Sequence, residues 1–275
     1  MLGASIIVAV EQLLARQCRK SVCLQIATVT TLFVLLHAQY GRSQNLIVPQ
    51  EYASFEAPGD NFYPFGITFS PPLSMRYQQV YASSDFPLSG PVIITQMLFR
   101  PDAYQGGAFS TVIPEVQIQL STTSSAPDAL NTTFSSNIGA DDTIVFPKGP
   151  LALSSAFTGG PAYFDKPYDF DIVINFSTPF MYDPKKGNLL FDVSIFDGAS
   201  ALAFDATNLD DYTDGMSRQY TSNNVSETTA DYVDSLGLVT EFTYSPVPEP
   251  STIALLTLGA LGLLARRRLS IGCMR

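Results

Sequence analysis

Four aspartates, Asp205, Asp210, Asp211 and Asp214, fall within ten residues, with Asn208 and Gly215 beside them. An oxygen-rich, flexible loop of this kind suits calcium, which takes six to eight oxygen ligands. The spacing is not that of an EF-hand, because Tyr212 stands where an alternate ligand is required. The same residues also suit a solvated turn. Glu227, Asp231 and Asp234 form a second acidic group. Carboxylates alone can hydrolyse glycosidic bonds, given one acid and one base or nucleophile held several Å apart. No motif here selects such a pair, and with no Trp the chain lacks the usual sugar platform. Tyr104, Tyr212 and Tyr232 sit in loop-like contexts and are candidate carbohydrate contacts through their ring faces.

Other chemistry is excluded by where the reactive residues lie. The cysteines are Cys18, Cys23 and Cys273, and the single histidine is His37. The middle, residues 44–245, therefore has no Cys, His or Trp. It can hold no Ser-His-Asp triad, no Cys nucleophile, no disulfide and no His- or Cys-bound zinc. Gly106-Gly107 and Gly159-Gly160 lack the Lys-Ser/Thr of a phosphate loop. The sequons at Asn131, Asn175 and Asn224 are short patterns of low specificity. Charge is polarised. The middle holds 7 of the 15 basic residues and 23 of the 25 acidic ones, a net charge of -16 against -10 for the whole chain. Such a body repels phosphate backbones, so nucleic acid is not an expected partner.

The elements that must position these groups read as strands. Apolar and polar residues alternate, or β-rich runs recur, over 74–81, 92–100, 116–120, 170–176, 189–196 and 238–244. Shorter candidates are 66–69, 143–146, 201–204 and 218–221. Pro/Gly punctuation separates them, and no sustained helical period occurs between Gln44 and Ser245. The expectation is all-β: a single antiparallel β-sandwich or jelly-roll domain over residues 44–245. Residues 171–176 and 189–196 are expected to pair across a turn through 179–188.

The two ends read as addresses. Arg16, Arg19 and Lys20 precede an apolar run from Val22 to Leu36, followed by polar residues. This is the pattern of a secretory signal, here residues 1–43, with cleavage after Ala38 or Ser43. At the other end Val247-Pro248-Glu249-Pro250 leads into a 13-residue apolar run, 253–265, and then Arg266-Arg267-Arg268. As a helix that run is ~20 Å long, against a bilayer core of ~30 Å. The arginines would stay cytoplasmic and leave the Pro-Glu-Pro segment just outside.

This three-part tail, 246–275, resembles the PEP-CTERM sorting domain; the seven residues after the basic cluster depart from the pattern. The resemblance implies an exosortase-like membrane enzyme as partner, a Gram-negative host, and membrane anchoring before transfer to the cell surface or matrix. It also associates the chain with exopolysaccharide and biofilm. Residues 76–81, 93–100, 176–184 and 187–190 are similar to globular regions found upstream of such tails. The expected protein is exported and non-enzymatic, with a structural role in the matrix. A lectin-like carbohydrate-binding module is the alternative, and a carboxylate-based glycoside hydrolase a distant third. No cofactor is expected beyond candidate calcium, and the membrane is met only through the terminal segments.

Overall fold

The computed structural model describes residues 42–66, 74–163, 166–198, 201–222, 224–247 and Gly259. Residues 1–41 of the expected signal segment and the sorting tail from Pro248 onward, apart from Gly259, lie outside them. The chain divides into two compact units, Met1–Arg42 and Ser43–Arg275, and the strands below all belong to the second.

Among the described residues fourteen strands follow one another: β1 Gln44–Val48, β2 Gly59–Asn61, β3 Met75–Tyr81, β4 Val92–Phe99, β5 Phe109–Thr123, β6 Thr143–Ser155, β7 Gly159–Tyr163, β8 Lys166–Tyr168, β9 Ile172–Tyr182, β10 Asn188–Asp197, β11 Phe204–Ala206, β12 Met216–Thr221, β13 Tyr232–Asp234 and β14 Thr240–Pro246. Short 3-10 turns at Gln50–Ala53, Ser83–Asp85 and Phe134–Ser136 interrupt them. The fold is all-β, as the alternation implies.

Two sheets make the sandwich. One has four strands in the order β1-β14-β4-β9, the other six in the order β13-β12-β3-β10-β5-β6, and the pairings are antiparallel. Period-two alternation turns one face of each strand inward. Val92, Ile94, Met97 and Phe99 of β4 thus meet Phe191 and Val193 of β10 in one apolar core. The sheets touch through ring pairs: Tyr81 meets Phe242 edge-on at 5.2 Å, and Phe99 lies 6.2 Å from Phe191. At one side the edge strands β6 and β9 approach, and the Ser177 hydroxyl donates to the Val145 carbonyl at 3.1 Å.

Strands β3 and β12 are buried on both faces, so their polar residues need internal partners. On the outer face Gln78 donates to Asp192 at 2.7 Å and to the Phe134 carbonyl at 3.1 Å, and accepts from Asn137 and Gln219. The segment around Phe134 and Asn137 covers this network. On the inner face Gln79 exchanges two bonds with the Leu238 backbone, at 3.0 and 2.8 Å. These glutamines act as backbone surrogates that fasten loops onto the sheet.

One pairing differs from the expectation. The residues at 171–176 and 189–196 do not form a hairpin. β9 runs on to Tyr182 through the expected turn and pairs with β4, whereas β10 pairs with β3 and β5 in the opposite sheet. The loop between them crosses the sandwich. Both strands carry apolar residues enough to fill a core, and alternation fixes the face of a strand without naming its neighbour.

Phe242 is 1% exposed at the centre of the ring contacts, and Val112 is 57% exposed on β5. Phe242→Ala is expected to cost about 3–5 kcal/mol in denaturant unfolding. Val112→Ala should stay within about 0.5 kcal/mol. Equal midpoints for the two variants would contradict this core.

Candidate functional site: a buried carboxylate cluster and the sorting tail

Residues 203–207 run as an extended bridge between two other segments. Asp102 N–H donates to the Ala203 carbonyl, Asp205 N–H to the Arg100 carbonyl and Val239 N–H to the Asp205 carbonyl, each at 3.1 Å. On the remaining edge β11 pairs with β2, Gly59 opposite Ala206. That approach needs glycine, because a Cβ on Gly59 would lie 2.1 Å from the Thr207 carbonyl oxygen. Four stretches of chain distant in sequence thus converge on one point.

The point is charged. Glu56, Asp102 and Asp205 are buried, and each brings a carboxylate oxygen within 4.8 Å of the others. Arg100 enters from the end of β4, and its side chain and that of Asp205 are both 0% exposed. Arg100 Nε–H donates to Asp205 Oδ2 at 2.6 Å, and its Nη2 donates to the Phe55 carbonyl at 2.6 Å. Its guanidinium lies 4.9 Å over the Phe170 ring. Asp205 Oδ1 accepts from Ala57 N–H at 3.0 Å, and Glu56 Oε1 from Ala103 N–H at 2.8 Å. Asp102 Oδ1 accepts from the N–H groups of Tyr104 and Gln105, turning the chain after β4.

Three carboxyls face one guanidinium, so full ionisation would leave excess negative charge in a dry interior. Burial raises the proton affinity of all three acids, and Arg100 only partly opposes it at Glu56 and Asp205. Asp205 has both oxygens filled by donors. Among the described residues Glu56 Oε2 is buried with no hydrogen-bond partner, as is Arg100 Nη1. Arg100 and backbone N–H groups occupy both oxygens of Asp205 and one oxygen each of Glu56 and Asp102. The arrangement suits a structural lock that ties residues 55–57 and 100–105 to β11.

The expected calcium quartet is not brought together. Asp205 leaves the loop for this cluster and pairs with Arg100. Asp210 is exposed and Asp211 half-buried. Asp211 accepts from the Thr213 hydroxyl at 2.6 Å and the Thr213 N–H at 2.9 Å, which lowers its pKa. Asp214 is buried and accepts from Met216 N–H at 2.9 Å. Burial pushes its carboxyl up to about 7. In the second acidic group Asp234 holds Arg218 at 2.6 Å, while Glu227 accepts from Asn224 at 2.8 Å. Alternation hides this difference: a strand-borne Asp205 and a loop-borne Asp210 look alike in sequence.

The three tyrosines sit on separate segments. Tyr104 lies after β4, Tyr212 between β11 and β12, and Tyr232 opens β13; all are more than half exposed. Tyr232 stacks on Tyr220 at 5.0 Å and 20°, and Tyr220 lies 4.8 Å from Tyr63. Glu56, Arg100 and Asp102 went unnoticed in the sequence. The available signal was Arg100-Pro101-Asp102 at the end of an apolar strand, since a cation placed there must find a buried anion.

The last strand leads to the tail. Pro246 pairs opposite Val92, and Val247 N–H donates to the Pro91 carbonyl at 3.0 Å. From there residues 246–268 match the family model described as the PEP-CTERM protein-sorting motif. The chain carries a PEP-CTERM motif. The match spans 23 residues of 275 and leaves the sandwich unassigned. No curated protein and no solved structure matches the chain. The PEP-CTERM motif implies export, membrane anchoring before processing, and processing by an exosortase-like enzyme. Among the described residues no helix is long and apolar enough to cross a membrane; the expected span, 253–265, lies outside them apart from Gly259.

Two measurements check the electrostatics. Arg100→Met strands Asp205 and is expected to cost about 3–5 kcal/mol, with much of the loss restored by adding Asp205→Asn. A silent Arg100→Met would contradict the lock. Asp214 binds its proton more tightly folded than unfolded, so its stabilising contribution is complete below the unfolded pKa of about 4 and is lost as pH rises through about 7. Asp214→Asn should therefore raise the melting temperature at pH 8 by about 2–4 °C and leave it unchanged at pH 4. A gain confined to pH 4 would reverse the sign.

Proposed function

We propose that this chain is a non-catalytic structural protein of the cell surface or extracellular matrix of a Gram-negative bacterium. An exosortase-like enzyme cuts near Pro248-Glu249-Pro250 and passes the sandwich outward, to a matrix that contains exopolysaccharide. The observation that carries this reading is the sorting motif starting where the last strand of an acidic sandwich stops. In support, the buried carboxylates Asp192 and Asp205 and the half-buried Asp234 are committed to Arg76, Arg100 and Arg218. Acids spent in this way serve cohesion, and a net charge of -16 favours solubility outside the cell.

One observation favours a second reading, a lectin-like module. The half-exposed Tyr232 is held flat against Tyr220, beside the Arg218–Asp234 pair on β12 and β13. A rigid ring face next to polar groups is the makeup of a sugar contact. Tyr232→Ala would then abolish retention on immobilised exopolysaccharide, whereas unaltered retention would dismiss this reading.

The sorting reading is tested in the native host. Pro248→Ala and Glu249→Ala are each expected to leave the protein in the membrane fraction with its tail uncut. Normal release of both variants would overturn it.

A further inference from the structure

The tail has no spacer. Pro246 is still in register with Val92, and Val247 is still hydrogen-bonded to Pro91, so the fold persists to the residue before Pro248. An extended residue spans at most ~3.6 Å, which places Glu249 within ~7 Å of Val247. Any enzyme that grips Pro248-Glu249-Pro250 must therefore either meet the end of the sandwich or pull β14 out of it.

Pulling β14 out is the costly route. It is an interior strand, bonded to β1 on one side and β4 on the other. It also carries Phe242 and Tyr244 in the core. Peeling it breaks two ladders and opens the apolar centre. Meeting the sandwich needs only a shaped surface, and one exists at the exit. Val247, Pro246 and Tyr244 line an open cleft together with Leu88 and Pro91. Two hydrogen bonds brace its lining. Tyr244 OH donates to Gln44 Oε1 at 3.0 Å, and Lys185 donates to the Ser89 carbonyl at 2.8 Å. Gln44, opposite Tyr244, is also the residue that follows the expected signal cut at Ser43.

We propose that the enzyme processing the tail docks on this pole of the folded sandwich, so that its substrate is the motif together with the cleft that presents it. The inference rests on the sorting reading of the tail. Its occupant is the outward face of that membrane enzyme, and covalent continuity brings the two together. Folding then becomes a condition for efficient processing, because the cleft exists only once β1, β4 and β14 have paired.

The test follows processing of the full chain in host membranes by pulse-chase, with protease resistance of the sandwich as the fold control. Three variants are compared: a ten-residue Gly/Ser spacer between Val247 and Pro248, Ser89→Trp at the exposed cleft mouth, and Glu249→Ala. The spacer and Ser89→Trp should each slow processing about tenfold, the scale of one lost hot-spot contact, while the sandwich stays resistant. Glu249→Ala should block it. Wild-type or faster processing of both the spacer and Ser89→Trp variants, with Glu249→Ala still blocked, overturns pole docking and leaves the sorting reading standing. Normal processing of Glu249→Ala overturns both.

Discussion

The clamp on β14 is the constraint on which the molecule depends. The last strand lies between the first strand and β4, and its Phe242 and Tyr244 enter the same core as Tyr81 and Phe86. The four-stranded sheet stays divided until residues about two hundred positions apart in the chain have met. Long-range pairing of this kind is slow, because loop closure precedes the contacts that reward it. The domain can therefore close only after its final strand has been delivered. Both the start of the sandwich and the exit of its tail then lie at one pole.

Buried charge serves the same end. Arg76, Arg100 and Arg218 each fasten a segment that alternation alone would leave loose: Arg76 holds Asp192 across the strand pair β3–β10, Arg100 the bridge at β11, and Arg218 the short edge strand β13. Isolated ion pairs of this sort add little net stability over apolar packing, but an unpaired member is severely penalised. They therefore select one arrangement over its competitors. The same logic explains how so acidic a body keeps buried carboxylates: each is matched by a cation or a backbone N–H, or burial favours its protonated form.

The strands were legible in the sequence because alternation and Pro/Gly turns act locally. Residues 75–81, 92–99 and 188–197 follow the pattern closely. Their neighbours were not legible, since pairing depends on which distant faces complement one another; hence β9 and β10 went to opposite sheets. β1 was hidden for a related reason. Its five residues are too short to show a period, and its partner lies at the other end of the chain. Asp205 was drawn into a loop by its acidic neighbours, whereas the structure places it on β11 against Arg100. The tail was the clearest part, because motif, apolar run and basic cluster are contiguous and need no folding to be read.

The central claim is that a folded acidic sandwich leaves the cell after losing both ends. Intact mass of the protein recovered outside the cytoplasmic membrane tests it most directly. The account predicts a species that begins near Gln44, ends close to Pro250 and lacks the apolar run and Arg266-Arg267-Arg268. Recovery of the full 275-residue chain outside the membrane, with both ends intact, would contradict it.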